Sequence, residues 1–351
     1  MGIVNATYAE PVERERQMTV RDIAKIAGVS IATVSRVLND RSDVSPATRQ
    51  IVLDVVEQHQ FRRGHSARGL PRSRTRLVAV TVPLVEGTYF AAILGGISDA
   101  LDDAGIKLLL LPTRSDRSRP LPLRMRLRPG TAEGAVLMLP PEPLEELMEL
   151  QKAGVPITVI DPRVPIIDGI PCVAATNAAG AGAATEHLLQ LGHRSIGIIT
   201  GPPGWAATEE RRQGHYASLA RAGLTPQQHL TEVGDWQIPG GKLAAAHLLD
   251  RPDRPTAIFA FNDEMAIGAM HAARDRGLNI PKDLSVIGFD GVERGELLSP
   301  QLTTVRQPLA EMGRTAVDLL LRLLERKPLE ALRVELATRL IERQSTGPAP
   351  R

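Results

Sequence analysis

Two series of strand-like apolar runs, separated by helix-like stretches, constrain the fold of this chain more than any other feature. The first series contains LVAVTV, KLLLL, GAVLML and PITVI between residues 77 and 160, and the second contains SIGIIT, AIFAF and LSVIGF between residues 195 and 289. Strands that alternate with helices favour a parallel, doubly wound sheet, and two series favour two such lobes. Prolines interrupt residues 120–129, where we expect a loop or a shortened helix.

Three shorter helical patterns precede these runs and predict a small helical domain. A hydroxyl residue stands before each pattern, Thr19, Ser30 and Ser45, where its side chain can cap the first turn. Proline follows Ser45 at the first position of the third helix, which we expect to run to about Gln58. Two apolar sets have helical spacing: Ile23, Val29, Val34, Val37 and Leu38, which face one core, and Ile51, Val52, Val55 and Val56 in the third helix.

The second helical pattern, residues 31–38, carries polar and small side chains on its outer face. An exposed second helix after a tight turn at Gly28 is typical of a helix-turn-helix, whose second helix enters the DNA major groove. A structural helical hairpin is the alternative. We expect base contacts from Ile31, Ala32 and Arg36, and phosphate contacts from Ser30, Thr33, Ser35 and Asn39. For Arg36, a phosphate contact or a surface ion pair is the alternative.

The net charge of +2 is unevenly distributed along the chain. Residues 1–76 contain 13 Lys and Arg against 8 Asp and Glu, whereas the remainder contains 29 against 32. Residues 62–76 alone contain six arginines and no acidic residue. This asymmetry indicates a nucleic-acid-binding end joined to a nearly neutral body, with a solvated linker as the bland alternative.

Several classes of protein are disfavoured by what the sequence lacks. The single cysteine, Cys172, excludes a disulfide scaffold and a cysteine-based metal cage. The apolar runs are strand-sized and the first 17 residues lack the pattern of a signal peptide, so we expect a cytoplasmic protein. A GxGxxG after the first strand, a P-loop lysine and an HExxH are all missing. We therefore expect no enzyme, no cofactor and no metal.

The segment TVRDIAKIAGVSIATVSRVLND, with VSPATRQIVLDVVEQHQF after it, resembles the start of the lactose/galactose repressor (LacI/GalR) family of bacterial transcription regulators. Further matching segments follow in order: TEHLLQLGHRSIGIITGP, ERRQGHYASLARAGL, FNDEMAIGAMHAARDRGLNIPKDLSVIGFD, LLSPQLTTVRQP and TRLIERQST. The resemblance extends from about Met18 to Thr346. It implies an α-helical helix-turn-helix head and an α/β body, whose two doubly wound lobes are similar to type I periplasmic sugar-binding proteins.

The resemblance and the patterns together predict a domain layout. We expect a disordered leader, a helix-turn-helix domain, a hinge or linker, an effector-binding and dimerisation body, and a tail, at residues 1–17, 18–61, 62–76, 77–346 and 347–351. Within the body, the N-lobe is expected to comprise about 77–173 and 308–337, and the C-lobe about 174–307 and 338–346.

The family joins head to body by a short helix that forms on operator DNA, and residues 65–70 (HSARGL) resemble that segment. The resemblance implies minor-groove contacts from Ala67, Arg68 and Leu70, with Leu70 as an apolar wedge that opens a base step. Gly69 weakens such a helix by about 0.5–1 kcal/mol. A basic linker with Leu70 making no contact is the alternative.

The resemblance also implies an effector pocket between the two lobes, and several polar residues stand where strands end. The matching positions are Tyr89, Asp161, Arg211, Trp236, Asn262, Asp290 and Gln307. Carboxylates, amides and arginine suit the hydroxyls of a polyol, and a tryptophan offers an apolar face to a sugar ring. For Asp290 the structural alternative is a turn cap, and for Trp236 it is a plug of a surface gap.

These features predict a dimeric repressor that binds a pseudo-palindromic operator and responds to a small molecule, with a sugar or sugar derivative expected. The polar end of the chain, IERQSTGPAPR, favours a dimer over a tetramer held by an apolar heptad tail. We expect it in the bacterial cytoplasm, associated with the nucleoid, with no membrane partner. The alternatives are a sugar-binding transport module, a Rossmann-like enzyme, and an activator or corepressor-dependent regulator.

Overall fold

A computed structural model describes residues 19–38, 41, 43–59, 76–83, 87–113, 122–127, 130–165 and 169–350. The chain divides into two units, residues 1–72 and 73–351. The predicted leader at 1–17, the hinge residues Ala67, Arg68 and Leu70, and Asn39 lie outside the described residues.

The first unit contains three helices: α1 (Val20–Ile26), α2 (Ile31–Leu38) and α3 (Pro46–Gln58). All three predicted caps are present, and Thr19 and Asp22 form a reciprocal capping box. Gly28 has φ of +64° in the turn between α1 and α2, a conformation that glycine adopts without strain. The core of this unit consists of Ile23, Ala24, Val34, Val37, Val52 and Val55. Ile51, in contrast, is half exposed, because it lies on the outer side of α3.

The second unit contains two sheets flanked by helices. Its first series is β1 (Leu77–Val82), α4 (Thr88–Asp103), β2 (Lys107–Pro112), α5 (Leu123–Arg126), β3 (Gly134–Met138), α6 (Leu144–Lys152), β4 (Ile157–Ile160) and β5 (Cys172–Ala175). Its second series is α7 (Asn177–Gln190), β6 (Ile196–Thr200), α8 (Ala206–Arg221), β7 (Thr231–Val233), α9 (Ile238–Leu249), β8 (Ala257–Ala260), α10 (Asp263–Asp275), β9 (Ser285–Asp290) and β10 (Thr303–Arg306). The chain then returns through α11 (Leu309–Leu324) and β11 (Arg333–Leu336) and ends with β12 (Arg339–Ile341).

Each sheet has six strands. The N-lobe sheet has the order β11-β5-β4-β3-β1-β2, and all its pairs are parallel. The C-lobe sheet has the order β12-β10-β9-β8-β6-β7, and only β12 is antiparallel to its neighbour. The chain passes between the sheets three times, at residues 176, 307–308 and 337–338. The predicted doubly wound lobes are therefore confirmed.

The structure adds detail to two expectations, the loop or shortened helix at residues 120–129 and the tail that begins at residue 347. In the described part of the proline-rich segment, residues 122–127, the structure has the four-residue helix α5, as expected for a shortened helix. The residues set apart as a tail are held against the C-lobe: the carbonyl of Gly347 accepts from the ring of His193, and the amide of Ala349 donates to the carbonyl of Leu191. Among the described residues, no helix has the length and apolar character needed to cross a membrane.

A buried histidine joins two helices of the C-lobe. The hydroxyl of Thr185 donates to the carbonyl of Ala181, so it accepts from Nδ1 of His215 on α8 at 2.9 Å. His215 is only 2% exposed, and this burial lowers its pKa from 6.5 to about 4. The folded protein therefore holds His215 neutral at pH values where the unfolded chain is protonated.

This burial predicts a loss of stability in acid. Because the unfolded chain binds a proton near pH 6.5 and the folded protein only near pH 4, His215 contributes no penalty above pH 7 and about 3 kcal/mol of destabilisation at pH 4. Urea unfolding from pH 7.5 to 4 should show this excess loss for the parent relative to His215→Gln. Parallel stability curves for the two proteins would contradict the prediction.

Candidate functional site

A cavity of about 490 Å³ lies between the two lobes of the second unit. Its walls come from segments at the carboxyl ends of the parallel strands, which is where ligands bind in open α/β sheets. The N-lobe contributes Pro83, Gly87, Thr88, Tyr89, Phe90, Leu139, Asp161, Pro162 and Arg163. The C-lobe contributes Pro202, Trp205, Ala207, Arg211, Asp235, Trp236, Gln237, Asn262, Glu264, Asp290, Val292 and Arg294.

Backbone strain is concentrated around this cavity. Among the described residues, six that are not glycine have positive φ, and four of these line the cavity: Leu139, Asp161, Trp236 and Asp290. Such conformations cost on the order of 1–3 kcal/mol each and persist where the surrounding structure imposes them. Their clustering marks this cavity as a candidate functional site, by a signal independent of the resemblance.

Arg211 is the most constrained charged side chain of the cavity. It lies in the second turn of α8, which begins at Ala206. Nε donates to Oδ1 of Asn177 at 2.9 Å, and Nη1 donates to the carbonyl of Phe261. Nη1 also lies 3.6 Å from Oδ1 of Asp290. Nη2 takes part in none of the hydrogen bonds found among the described residues.

Asp290 is the acidic residue that lies beside Arg211 in the cavity. Its carboxylate is 6% exposed, and burial raises its pKa, while the nearby guanidinium of Arg211 and a hydrogen bond from Gln307 oppose this effect. Nε2 of Gln307 donates to Oδ1 of Asp290 at 2.7 Å. Gln307 is not among the residues that line the cavity, so the structure does not bring it together with the other predicted effector contacts, and its side chain contacts Asp290 instead.

On the opposite wall, Tyr89 and Asp161 form a pair in the N-lobe. The phenol of Tyr89 donates to Oδ2 of Asp161. Burial is the main cause that raises the pKa of Tyr89 well above 10, and the charge of Asp161 adds to it, so the phenol stays a donor. Burial also raises the pKa of Asp161, against the hydrogen bond from Tyr89 and the charge of Arg211. A carboxylate has about four lone-pair sites, so Asp161 keeps acceptor capacity beside the hydrogen bonds from Tyr89 and from the backbone of Ala175.

Trp236 and Asn262 are joined to each other on the C-lobe side. Oδ1 of Asn262 caps α10 by accepting from the amide of Met265 at 2.9 Å, and its Nδ2 donates to the carbonyl of Trp236 at 3.1 Å. The indole of Trp236 packs over Gly201, where a β-carbon would lie 1.9 Å from Cζ2 of the ring. The absence of a side chain at Gly201 therefore leaves the space that the indole occupies.

Replacing Gly201 with alanine should displace the Trp236 ring. We expect a shift of tryptophan fluorescence and a loss of about 1–3 kcal/mol of stability, because the new methyl group overlaps the ring. A Trp205→Phe background isolates the signal, since the chain has two tryptophans. Gly95→Ala is the matched control, because its β-carbon would meet nothing within 4 Å. Identical spectra for the two alanine variants would refute this packing.

The cavity residues that were not predicted from the sequence include Arg163, Trp205, Glu264 and Arg294. The guanidinium of Arg163 stacks on the Trp205 ring at 4.3 Å, so an N-lobe cation contacts a C-lobe aromatic ring. Nη1 of Arg294 donates to both carboxylate oxygens of Glu264 at 3.0 and 2.9 Å. One sequence signal could have identified Trp205: aromatic residues make up only 3% of this chain, so each of them is a candidate for a specific role.

In the first unit, α2 presents an exposed face. Ile31, Ala32 and Arg36 are exposed, and the Oγ of Ser30 caps the helix by accepting from the amide of Thr33 at 3.0 Å. Nε of Arg36 lies 3.6 Å from Oδ2 of Asp43, and both side chains are more than half exposed. The surface ion pair considered for Arg36 is therefore present in a loose form that leaves the guanidinium accessible.

The described residues contain no cluster of three or more His, Cys, Asp or Glu side chains able to hold a metal ion. The charged groups of the cavity are instead paired acids and arginines with aromatic rings beside them. This set can bind a neutral ligand rich in hydroxyl groups.

Comparisons with known proteins find family matches in both units of the chain. Residues 19–63 match the model of bacterial regulatory proteins of the lacI family, and residues 185–346 match that of a periplasmic binding protein-like domain. Catabolite control protein A of Priestia megaterium is 32% identical over 330 residues, covering 94% of this chain and 99% of that protein.

Solved structures give the same result. A complex of the transcriptional regulator CelR with cellobiose has a TM-score of 0.71 at 32% identity, over 93% of this chain and 99% of that one. The lac repressor dimer, bound to operator and the anti-inducer ONPF, has a TM-score of 0.69 at 27% identity, over 95% and 100%. With full-length relatives above 30% identity and the lacI-family model matched at its start, this chain belongs to the LacI family of bacterial DNA-binding regulators.

Proposed function

We propose that this protein is a sequence-specific repressor whose operator affinity is set by a carbohydrate bound in the cavity between its lobes. The observation that carries the proposal is Arg211, which is held on three sides and keeps Nη2 for a ligand, with Trp236 and the Tyr89–Asp161 pair in the same cavity. Such an arrangement suits adjacent sugar hydroxyls, with an indole for the ring face.

Two relatives support the carbohydrate class. One solved neighbour contains cellobiose and another, from Enterococcus faecium, contains ribose. The site is a binding site in this proposal, with no catalytic role, and the protein acts in the cytoplasm. Calorimetry with glucose, ribose, galactose and cellobiose tests the class. Saturable binding of one of them supports the proposal, and failure of all four together with binding of a non-carbohydrate in the same cavity would refute it.

For the DNA side, we propose a homodimer that places two copies of α2 in successive major grooves of a pseudo-palindromic operator. Ile31, Ala32 and Arg36 would contact bases, while Ser30, Thr33, Ser35 and Asn39 would contact phosphates. In the proposed layout, residues 18–61 form the DNA-binding domain and 77–346 the body.

We also propose, from the sequence, that residues 65–70 form a hinge whose Ala67, Arg68 and Leu70 reach the minor groove. Leu70→Ala should then lower operator affinity without changing carbohydrate affinity in the absence of DNA, because the wedge acts only on DNA. Arg68→Ala should instead weaken binding to all DNA sequences and reduce the salt dependence. Gel shifts on operator and random DNA measure both effects. Full operator affinity in Leu70→Ala would reduce this segment to a tether.

A further inference from the structure

Two buried amide side chains lie where the chain passes between the lobes, and each holds one charged residue of the cavity. Asn177 is the first residue of α7, immediately after the first crossover, and is 4% exposed. Gln307 lies in the second crossover, between β10 of the C-lobe and α11 of the N-lobe, and is 3% exposed. Neither side chain lines the cavity.

Asn177 connects Arg211 to a contact between the lobes. Its Oδ1 accepts from Nε of Arg211, and its Nδ2 donates to Oε2 of Glu210, both at 2.9 Å. The other oxygen of Glu210, on α8 of the C-lobe, accepts from Nη2 of Arg333 at 2.9 Å. Arg333 belongs to β11 of the N-lobe, so Arg211 is linked through Asn177 to an ion pair that joins the lobes.

The first and third crossovers are bonded to each other beside Asn177. The amide of Thr338 donates to Oγ1 of Thr176 at 3.0 Å, and the two hydroxyls lie 3.1 Å apart. Asn177 follows Thr176 directly in the chain. A change in its side-chain contact therefore reaches two of the three connections through neighbouring bonds.

Gln307 makes the equivalent link for Asp290. Its Nε2 donates to Oδ1 of Asp290 at 2.7 Å, and its backbone amide donates to the carbonyl of Asp290 at 3.0 Å. Among the described residues, no hydrogen-bond partner is found for its own buried Oε1.

We propose that Asn177 and Gln307 are coupling residues: they transmit the occupancy of the cavity, sensed by Arg211 and Asp290, to the crossovers that set the angle between the lobes. This inference rests on the proposed function and adds to it the residues through which the effector acts. Lobe closure requires backbone change in such connecting segments, so a ligand that shifts either charged residue biases one arrangement of the lobes.

The test separates carbohydrate affinity from its consequence for DNA. Calorimetry with cellobiose and ribose measures affinity, and anisotropy of a duplex selected by the parent from a random pool measures operator affinity with and without each sugar. Couplings of this kind are about 5- to 150-fold in affinity. We expect Asn177→Ala and Gln307→Leu to lose far more of the operator response, which should fall to less than about twofold, than of the sugar affinity.

Gln301→Leu is the matched control, because Gln301 is a half-buried C-lobe amide outside the crossovers, with Nε2 bonded to the carbonyl of Glu296 at 3.0 Å. It should keep the full operator response. A full response in both Asn177→Ala and Gln307→Leu would overturn the proposal. So would a loss of sugar affinity as large as the loss of response, because the amides would then only support the cavity.

A second measurement needs no sugar, so it tests the coupling role of Asn177 and Gln307 separately from the proposed carbohydrate effector. If neither sugar binds the parent, the carbohydrate class fails, and hydrogen exchange then decides the coupling role. Arg211→Lys and Asp290→Asn should speed exchange of the crossover amides of Thr338 and Gln307 by at least about tenfold, since each loosens a bond to a coupling amide. Unchanged exchange at both amides would overturn the proposal.

Discussion

Arg211→Ala is expected to abolish the response to the effector while leaving operator binding intact. The substitution removes the nitrogen that we propose to contact the ligand and leaves the buried carboxylate of Asp290 without its cation. Lost charged hydrogen bonds and an unpaired buried charge together should weaken effector binding by about 2–4 kcal/mol, or about 30- to 900-fold. Calorimetry of the purified variant gives the affinity directly.

The neighbouring arginine supplies the control. Arg212 lies on the same helix, but its side chain is 43% exposed and pairs with Glu209 within α8. Arg212→Ala should therefore keep effector affinity within about twofold, as is usual for an exposed pair. Retained affinity in Arg211→Ala, or an equal loss in both variants, would remove Arg211 from the site.

Arg36→Ala is expected to lower specific operator affinity by about 1–3 kcal/mol, or about 5- to 150-fold, and to relax specificity at one base pair. Arg36 is the long polar side chain on the exposed face of α2, and its loose pairing with Asp43 leaves it available. Competition gel shifts against operators that differ at single positions measure both effects.

Asp43→Ala separates base contact from ion pairing. If Arg36 serves only to pair with Asp43, the two alanine variants should weaken binding equally. If Arg36 contacts a base, Asp43→Ala should bind as tightly as the parent or more tightly, because the guanidinium loses a competing acid. Normal operator binding by Arg36→Ala would show that α2 does not dock as proposed.

The capped helices and long strands could be predicted because local chemistry determines them. The hydroxyl caps at Thr19, Ser30 and Ser45 gave the starts of α1 to α3, and apolar runs of five or six residues gave the central strands. The strands β5, β7, β10, β11 and β12 were not predicted, because each is only three or four residues long and is fixed by pairing with another segment.

The candidate site was predicted in its inner part and missed at its edges. Asp161, Asn262 and Asp290 follow buried strands, so the rule for parallel sheets located them. Arg163, Trp205 and Asn177 acquire their roles only when distant segments meet, as when Arg163 of one lobe stacks on Trp205 of the other. Gln307 lies in the second crossover and contacts Asp290, but its absence from the cavity lining depends on three-dimensional packing that spacing does not encode.

The central claim is that a carbohydrate in the cavity controls operator affinity, and the linkage between the two sites tests it most directly. Operator anisotropy titrated with the sugar that binds the parent should show a change in operator affinity of about 5- to 150-fold, and sugar affinity should change by the same factor when operator is present. Arg211→Ala should show no such change. Equal operator affinity with and without saturating sugar in the parent, or an unchanged response in Arg211→Ala, would contradict the account.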